Sequence, residues 1–140
     1  MKTNFFSLAF LLLINIIYSQ NIGDFRSIAS GDWNDSTKWQ TYNGTNWVAA
    51  TQYPGQTSEN YSVSIEDGHT ITVGTYGNGN NSPSSTSIYN IGDLIVKGQL
   101  TLNINLELND TSYLLIDAGT VAWNQNNDYL KLKGNAEVSI

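Results

Sequence analysis

The feature that most constrains this chain is the period of its apolar residues. They recur at every second position in short runs, and no stretch of a dozen residues after position 20 keeps apolar side chains at i, i+3, i+4 and i+7. Tyr61–Ile65 reads YSVSI and Thr70–Val73 reads TITV. Leu100–Leu108 alternates over nine residues, with five apolar side chains on one face. Leu114–Ile116, Val121–Trp123, Tyr129–Leu132 and Ala136–Ile140 complete the set. Period two with one apolar face marks half-buried strands. Between the runs stand Asp67-Gly68, Gly92-Asp93, Lys97-Gly98, Asn109-Asp110, Ala118-Gly119 and Lys133-Gly134, residues that accept tight turns. The chain is therefore expected to be all-β.

The turns carry a weak repeat. Gly68, Gly98, Gly119 and Gly134 each follow one short strand and precede another. Ile65, Ile95 and Ile116 lie three residues before the first three glycines. Apolar residues lie two and four positions after the last three: Leu100 and Leu102, Val121 and Trp123, Ala136 and Val138. A constant strand–Gly–strand unit at irregular spacing suits a β-solenoid, whose coils bury their apolar faces by stacking while their loops vary in length. An antiparallel β-sandwich is the alternative, since hairpins also use glycine turns. Gly74–Tyr89 is polar and reads as a long surface loop between strands, with a linker as the other reading.

Composition excludes several functions. The 140 residues hold 12 acidic and 6 basic side chains, a formal charge of −6, and no cysteine. Binding nucleic acid through basic charge needs Lys and Arg in number, so that class is excluded. Disulfide scaffolds, zinc-thiolate sites and cysteine catalysis fall with the missing cysteines.

The N-terminus reads as an address. Lys2 precedes Phe5–Tyr18, a 14-residue apolar run broken only by Ser7 and Asn15, and Ser19 then offers a small residue for cleavage. A membrane span needs about 20 apolar residues. Residues 1–19 are therefore expected to be a signal peptide, with a short anchor as the alternative, and 20–140 a single exported domain with no membrane association after cleavage. An exported chain without cysteine suits a bacterial envelope or medium better than a eukaryotic secretory route. The Asn-x-Ser/Thr triplets at Asn34, Asn43, Asn60, Asn80 and Asn109 carry little weight in such a setting.

Residues 29–55 concentrate the aromatics: Trp33, Trp39 and Trp47, with Tyr42 among them and Tyr53 behind. Two readings stand. As a cap, large aromatics close the first coil of a stack with few residues. As a platform, Trp33, Trp39, Tyr42, Trp47 and Tyr53 stack on the faces of an extracellular polysaccharide.

The order Ser30-Gly31-Asp32-Trp33, Trp39, Tyr53-Pro54-Gly55, Val63-Ser64-Ile65 and Asp67-Gly68-His69-Thr70-Ile71-Thr72-Val73 resembles the start of large secreted β-helix proteins of Bacteroidetes, adhesin-like and associated with type IX secretion. It is also similar to the extracellular domain named for its eight glycines. The resemblance covers about residues 28–140. It implies a right-handed parallel β-helix entered through an aromatic cap, in proteins that continue for hundreds of residues and end in a sorting domain. The chain also stops in mid-alternation at Ala136–Ile140, leaving a strand edge that invites pairing with other chains, so it is expected to be the N-terminal part of a longer protein or the product of a truncated gene.

Catalytic candidates are few. His69 is the single histidine, and its spacing implies no Ser or Asp partner. Glu66 and Asp67 are adjacent and point to opposite sides of an extended chain, a poor acid/base pair. The cations Arg26, Lys38, Lys97, Lys131 and Lys133 are scattered. Asp32-Trp33-Asn34-Asp35 and Asn124–Asp128 are oxygen-rich, but neither matches a known calcium spacing, and Asx-turns account for both. The expectation is a non-enzymatic, exported structural or adhesin-like segment with no cofactor and no metal. The alternative is a polysaccharide-binding module or an accessory domain of a glycan-degrading enzyme.

Overall fold

A half-buried strand makes two demands: its apolar face needs a facing layer, and its backbone groups need neighbouring strands. In this chain the neighbours within each sheet meet the second demand, and packing of the two sheets in one core meets the first. The computed structural model describes residues 19–57, 60–74, 88–103, 106–108, 112–123, 130–132, 134–135 and 137–140. Residues 1–18 of the expected signal peptide, most of the polar segment after Gly74 and the Asn124–Asp128 loop lie outside them.

The strands are β1 (Phe25–Ser27), β2 (Gly31–Asp32), β3 (Trp39–Tyr42), β4 (Trp47–Ala49), β5 (Tyr61–Ile65), β6 (Thr70–Val73), β7 (Ile88–Val96), β8 (Gln99–Leu102), β9 (Leu106–Leu108), β10 (Tyr113–Ile116), β11 (Thr120–Trp123), β12 (Leu130–Leu132) and β13 (Glu137–Ser139). One 3-10 turn, Ser36–Lys38, precedes β3. The protein is all-β, with two sheets. One runs β12-β9-β7-β5-β1-β3-β4, with β10 also on β7 and β13 on β10; the other runs β11-β8-β6-β2. Only β1–β3 and β3–β4 pair antiparallel among the described residues, and the other nine ladders are parallel. The hairpins an antiparallel sandwich requires are thus confined to the N-terminal third.

Register lines the apolar residues into rows. Phe25, Val63, Leu94, Leu114 and Val138 are successive partners in the first sheet. Val73, Leu102 and Trp123 follow one another in the second, as do Ile71, Leu100 and Val121. Phe25, Val63, Leu94 and Leu114 are buried together with Ile71, Val73, Leu100 and Leu102 in one core. At roughly 1.5–3 kcal/mol for each fully buried large apolar side chain, these rows are the main favourable term in folding.

Two stretches depart from the sequence reading. Leu100–Leu108 is not one strand. It divides into β8 in the second sheet and β9 in the first, with the buried Asn103 after the break donating its N–H to Val73 O at 2.9 Å. Straight, nine residues would span roughly 30 Å; bent, the segment buries Leu100, Leu102, Leu106 and Leu108 alike. The bend preserves the alternation, so the pattern alone does not reveal it. β7 shows the reverse. Ile91, Leu94 and Val96 are all buried, but the step from 91 to 94 breaks period two. Tyr61 pairs with Ile91 while Val63 pairs with Leu94, so β7 holds an extra residue at this point. A bulge of this kind shifts the inward positions by one.

The corners stack as well. Gln99 N donates to His69 O at 2.8 Å, and Thr120 N donates to Gly98 O at 2.9 Å. His69, Gly98 and Gly119 thus occupy one column between the sheets. A Cβ on Gly98 would fall closer to the carbonyl oxygens of His69 and Glu66 than real Cβ atoms approach, and one on Gly119 would meet those of Val96 and Gly98. Close approach, not backbone conformation, therefore selects glycine at both positions. This corrects the sequence repeat: Gly68 stands one residue earlier in its corner, with φ of 76°, and Ala118 takes the left-handed conformation in the third corner, with φ of 59°. Gly134 leads into β13 of the first sheet, whereas the other three glycines lead into strands of the second, so it lies outside the column.

Two substitutions at the corners should act in opposite directions. Gly98→Ala forces the column apart and should cost about 3 kcal/mol or more. Ala118→Gly removes a left-handed alanine and should add about 1 kcal/mol. Urea denaturation of both variants measures the difference.

Candidate functional site

The aromatic block separates into an interior part and a surface part. Trp33 follows β2 and donates its backbone N–H to Thr72 O at 2.8 Å, which fixes it above β6. Asp35 then caps the 3-10 turn: its Oδ1 accepts from Thr37 N at 2.9 Å and from Thr37 Oγ1 at 2.6 Å. The turn brings the chain back into β3, where Trp39 points inward. The two indoles meet edge to face with centroids 5.1 Å apart. Trp33 Nε1 donates to Pro54 O at 2.8 Å, and Trp39 Nε1 donates to Trp33 O at 2.9 Å. Both residues are fully buried, and Tyr53 packs beside them, partly buried. This geometry corrects the platform reading for Trp33 and Trp39. With no exposed face, neither can stack on a sugar; they fill the end of the core. It also gives Tyr53-Pro54-Gly55 a physical role, because Pro54 supplies the acceptor that a buried indole requires.

Tyr42 and Trp47 are the surface part. They are cross-strand partners in the β3–β4 hairpin, with ring centroids 5.4 Å apart. Arg26 Cζ lies 4.6 Å from the centre of the Trp47 ring. The guanidinium is held there by Gln40 Oε1, which accepts from Nε at 2.9 Å and from Nη2 at 2.7 Å. Trp47 borders a trough of about 340 Å³ on the outer face of the first sheet. Ser62, Ser64 and Ile95 line it, with Glu66, Lys97, Asp93 and Asp117 around them and Ser19–Asn21 along one side.

The charges of the trough are partly engaged. Glu66 Oε1 accepts from Ser64 Oγ at 2.7 Å, and its Oε2 lies 3.4 Å from Lys97 Nζ. That pair is half in solvent and is worth at most about 1 kcal/mol. Asp93 Oδ1 accepts from Tyr113 N at 2.8 Å. An aromatic wall, a hydroxyl-lined floor and surplus carboxylate charge suit a polar ligand rich in donors. Of the trough residues, only Trp47 was singled out by the sequence as a binding residue. Ser62 and Ser64 are legible as the outward positions of YSVSI. Ile95 on β7 and Asp117 just after β10 come from segments distant in sequence, and no local pattern marks them.

His69 has a partner that spacing did not reveal. Its Nδ1 lies 2.8 Å from Ser27 Oγ, which also accepts Glu66 N–H at 2.9 Å. Ser27 is buried. The contact ties β1 to the first corner, and its hydroxyl is shielded from any substrate. Among the described residues, no group of three or more His, Cys, Asp or Glu side chains is placed to hold a metal ion. No helix among them is long and apolar enough to cross a membrane. Comparison with protein-family models, curated proteins and solved structures returned no match to this chain.

Two measurements check these assignments. Trp39→Ala empties the cap and should cost about 3–5 kcal/mol. Trp47→Ala, at the surface, should cost no more than about 1.5 kcal/mol. The bonds from the Thr37 hydroxyl and amide, with Lys38 nearby, hold the Asp35 carboxyl below its ordinary value of 3.8. The carboxylate therefore favours the folded chain above the unfolded-state pKa, and that contribution is lost as pH falls through the lowered folded value. NMR titration should find the Asp35 midpoint below 3.8, and Thr37→Val should raise it.

Proposed function

We propose that the chain is an exported, non-catalytic structural segment: the capped start of a parallel β-solenoid in an adhesin-like bacterial surface or extracellular protein. The run of in-register parallel ladders with stacked corners is the observation that carries this reading. Each coil is short, and its apolar face is covered by the next, so length is added without enlarging the core. The Trp33–Trp39 pair closes the first coil, and the Lys2-led apolar segment provides the route of export. Low charge fits the same design, because ladders of Thr, Ser and Asn stay solvated without ion pairs.

Two tests address the two halves of the proposal. Cysteines at Thr70 and Gln99, adjacent partners in parallel strands, should form a disulfide without lowering the melting temperature, since neighbouring strands fall within disulfide reach. Failure to crosslink would count against the stacked coils. For export, mass spectrometry of the envelope or medium should find a chain beginning at Gln20. A chain that keeps Met1 and stays in the cell pellet would overturn export.

A second reading is favoured by Trp47. Its ring borders the trough together with Ser62 and Ser64, an arrangement that suits an extracellular polysaccharide or the accessory domain of a glycan-degrading enzyme. On a glycan array, binding that disappears in Trp47→Ala, with the urea midpoint nearly retained, would establish it. An array on which nothing binds removes it.

A further inference from the structure

We infer that the trough on the outer face of the first sheet takes a polysaccharide of amino sugars that carry free ammonium groups. The inference rests on the polysaccharide reading of Trp47 above and names the class of sugar. Trp47 stands on β4, two strands away from β1, yet its ring lies over Arg26 of β1, with Cζ 4.6 Å from the ring centre. Gln40 Oε1, on the strand between, accepts two bonds from that guanidinium, of 2.9 and 2.7 Å. The three residues form a clamp. The cation takes one face of the indole and holds the ring over the sheet. The rest of the ring borders the trough of about 340 Å³. A ring already held loses little freedom when the C–H face of a sugar packs on it.

Charge selects among sugars. Among the described residues, four carboxylates border the trough, Asp24, Glu66, Asp93 and Asp117, against one ammonium, Lys97. Two of the four are engaged. Asp24 is buried, and its oxygens accept from Asn21 N at 2.6 Å and from Ser62 N at 3.1 Å. Glu66 lies 3.4 Å from Lys97 Nζ. Cleavage before Gln20 would add an α-ammonium, next in the chain to Asn21 and so nearest Asp24. Asp93 and Asp117 remain, both exposed. Asp93 commits Oδ1 to Tyr113 N, and the Asp117 carboxylate has no hydrogen bond or ion pair among the described residues. Asp117 follows Ile116, the partner of Val96, so it stands about level with Lys97. That is roughly 13 Å along β7 from Asp93. One metal ion or one monosaccharide cannot reach both. A chain ligand with repeated cations can, and Ser62 and Ser64 offer hydroxyls along its path. A uronate polymer would be repelled here, and a neutral one would leave both carboxylates unused.

Calorimetric titration of the mature chain at about pH 5.5, where carboxylates with ordinary values near 4 are ionised, tests the inference. The probes are a glucosamine oligomer with free amines, the same oligomer fully N-acetylated, and an oligolysine of equal charge. The free-amine oligomer should bind, and the other two should bind at least about 10-fold more weakly. Asp93→Asn combined with Asp117→Asn should weaken the free-amine oligomer by about 10-fold and leave the acetylated one unchanged. Asparagine keeps an oxygen for Tyr113 N and both sites are exposed, so the urea midpoint should hold. Trp47→Ala should weaken both sugars. Equal binding of the two sugars, each lost in Trp47→Ala, overturns the ammonium assignment and leaves the polysaccharide reading standing. Oligolysine that binds as tightly as the free-amine sugar and is indifferent to Trp47→Ala overturns both, since charge alone then accounts for the trough. Binding of neither sugar overturns the inference, and the glycan array then decides the polysaccharide reading by itself.

Discussion

The structure depends on one backbone contact repeated at the corners between its two sheets. There the first residue of one strand donates its amide to the carbonyl just before the neighbouring strand: Gln99 to His69, then Thr120 to Gly98. These bonds set the separation of the corners. That separation brings the corners so close that Gly98 and Gly119 have no room for a Cβ. It aligns Thr70, Gln99 and Thr120 at the start of three successive strands, and so places Ile71, Leu100 and Val121 in one row and Val73, Leu102 and Trp123 in the next. A parallel ladder has slanted bonds and no hairpin to hold its register. Here the corner column supplies that register.

The two sheets have edges, and the described residues treat them differently. At the N-terminal end the core is closed with two indoles whose N–H groups are both satisfied by backbone carbonyls. Those two bonds allow large polar-tipped aromatics to be fully buried without an unpaired donor. The antiparallel β3–β4 hairpin then takes the first sheet out of the parallel pattern. At the other end the rows run on to Val138 and Trp123 with nothing over them among the described residues. The outer trough lies between these edges, where small serines on β5 leave space beside Trp47.

Much of the strand content was legible because burial on one face imposes period two. YSVSI and TITV became β5 and β6 with the boundaries read from the alternation. The reading fails where geometry changes without changing the pattern, or changes the pattern without ending the strand. The bend after Leu102 preserves parity and hides a break. The extra residue near Gly92 disturbs parity and hides a strand. The glycine repeat was visible, but its alignment was off by one at the first corner, where His69 and not Gly68 stands in the column. The site was legible only in part. Tyr42 and Trp47 could be marked by residue type, whereas Arg26 reaches Trp47 from β1, and Ile95 on β7 and Asp117 just after β10 meet in the trough, because ladders far longer in range than any motif bring these segments together.

The sequence by itself determined that the chain is all-β, where several of its turns lie, and that its aromatics cluster before the first long strand, because alternation, turn residues and composition are local properties; Gly92-Asp93, read as a turn, lies within β7. The tertiary structure decided which strands are neighbours and which tryptophans are core and which are surface. Those depend on register, and register is set by contacts between residues tens of positions apart. The same aromatic type becomes buried core at Trp33 and Trp39 and a surface wall at Trp47, since only the packing of the two sheets determines which rings have a layer above them.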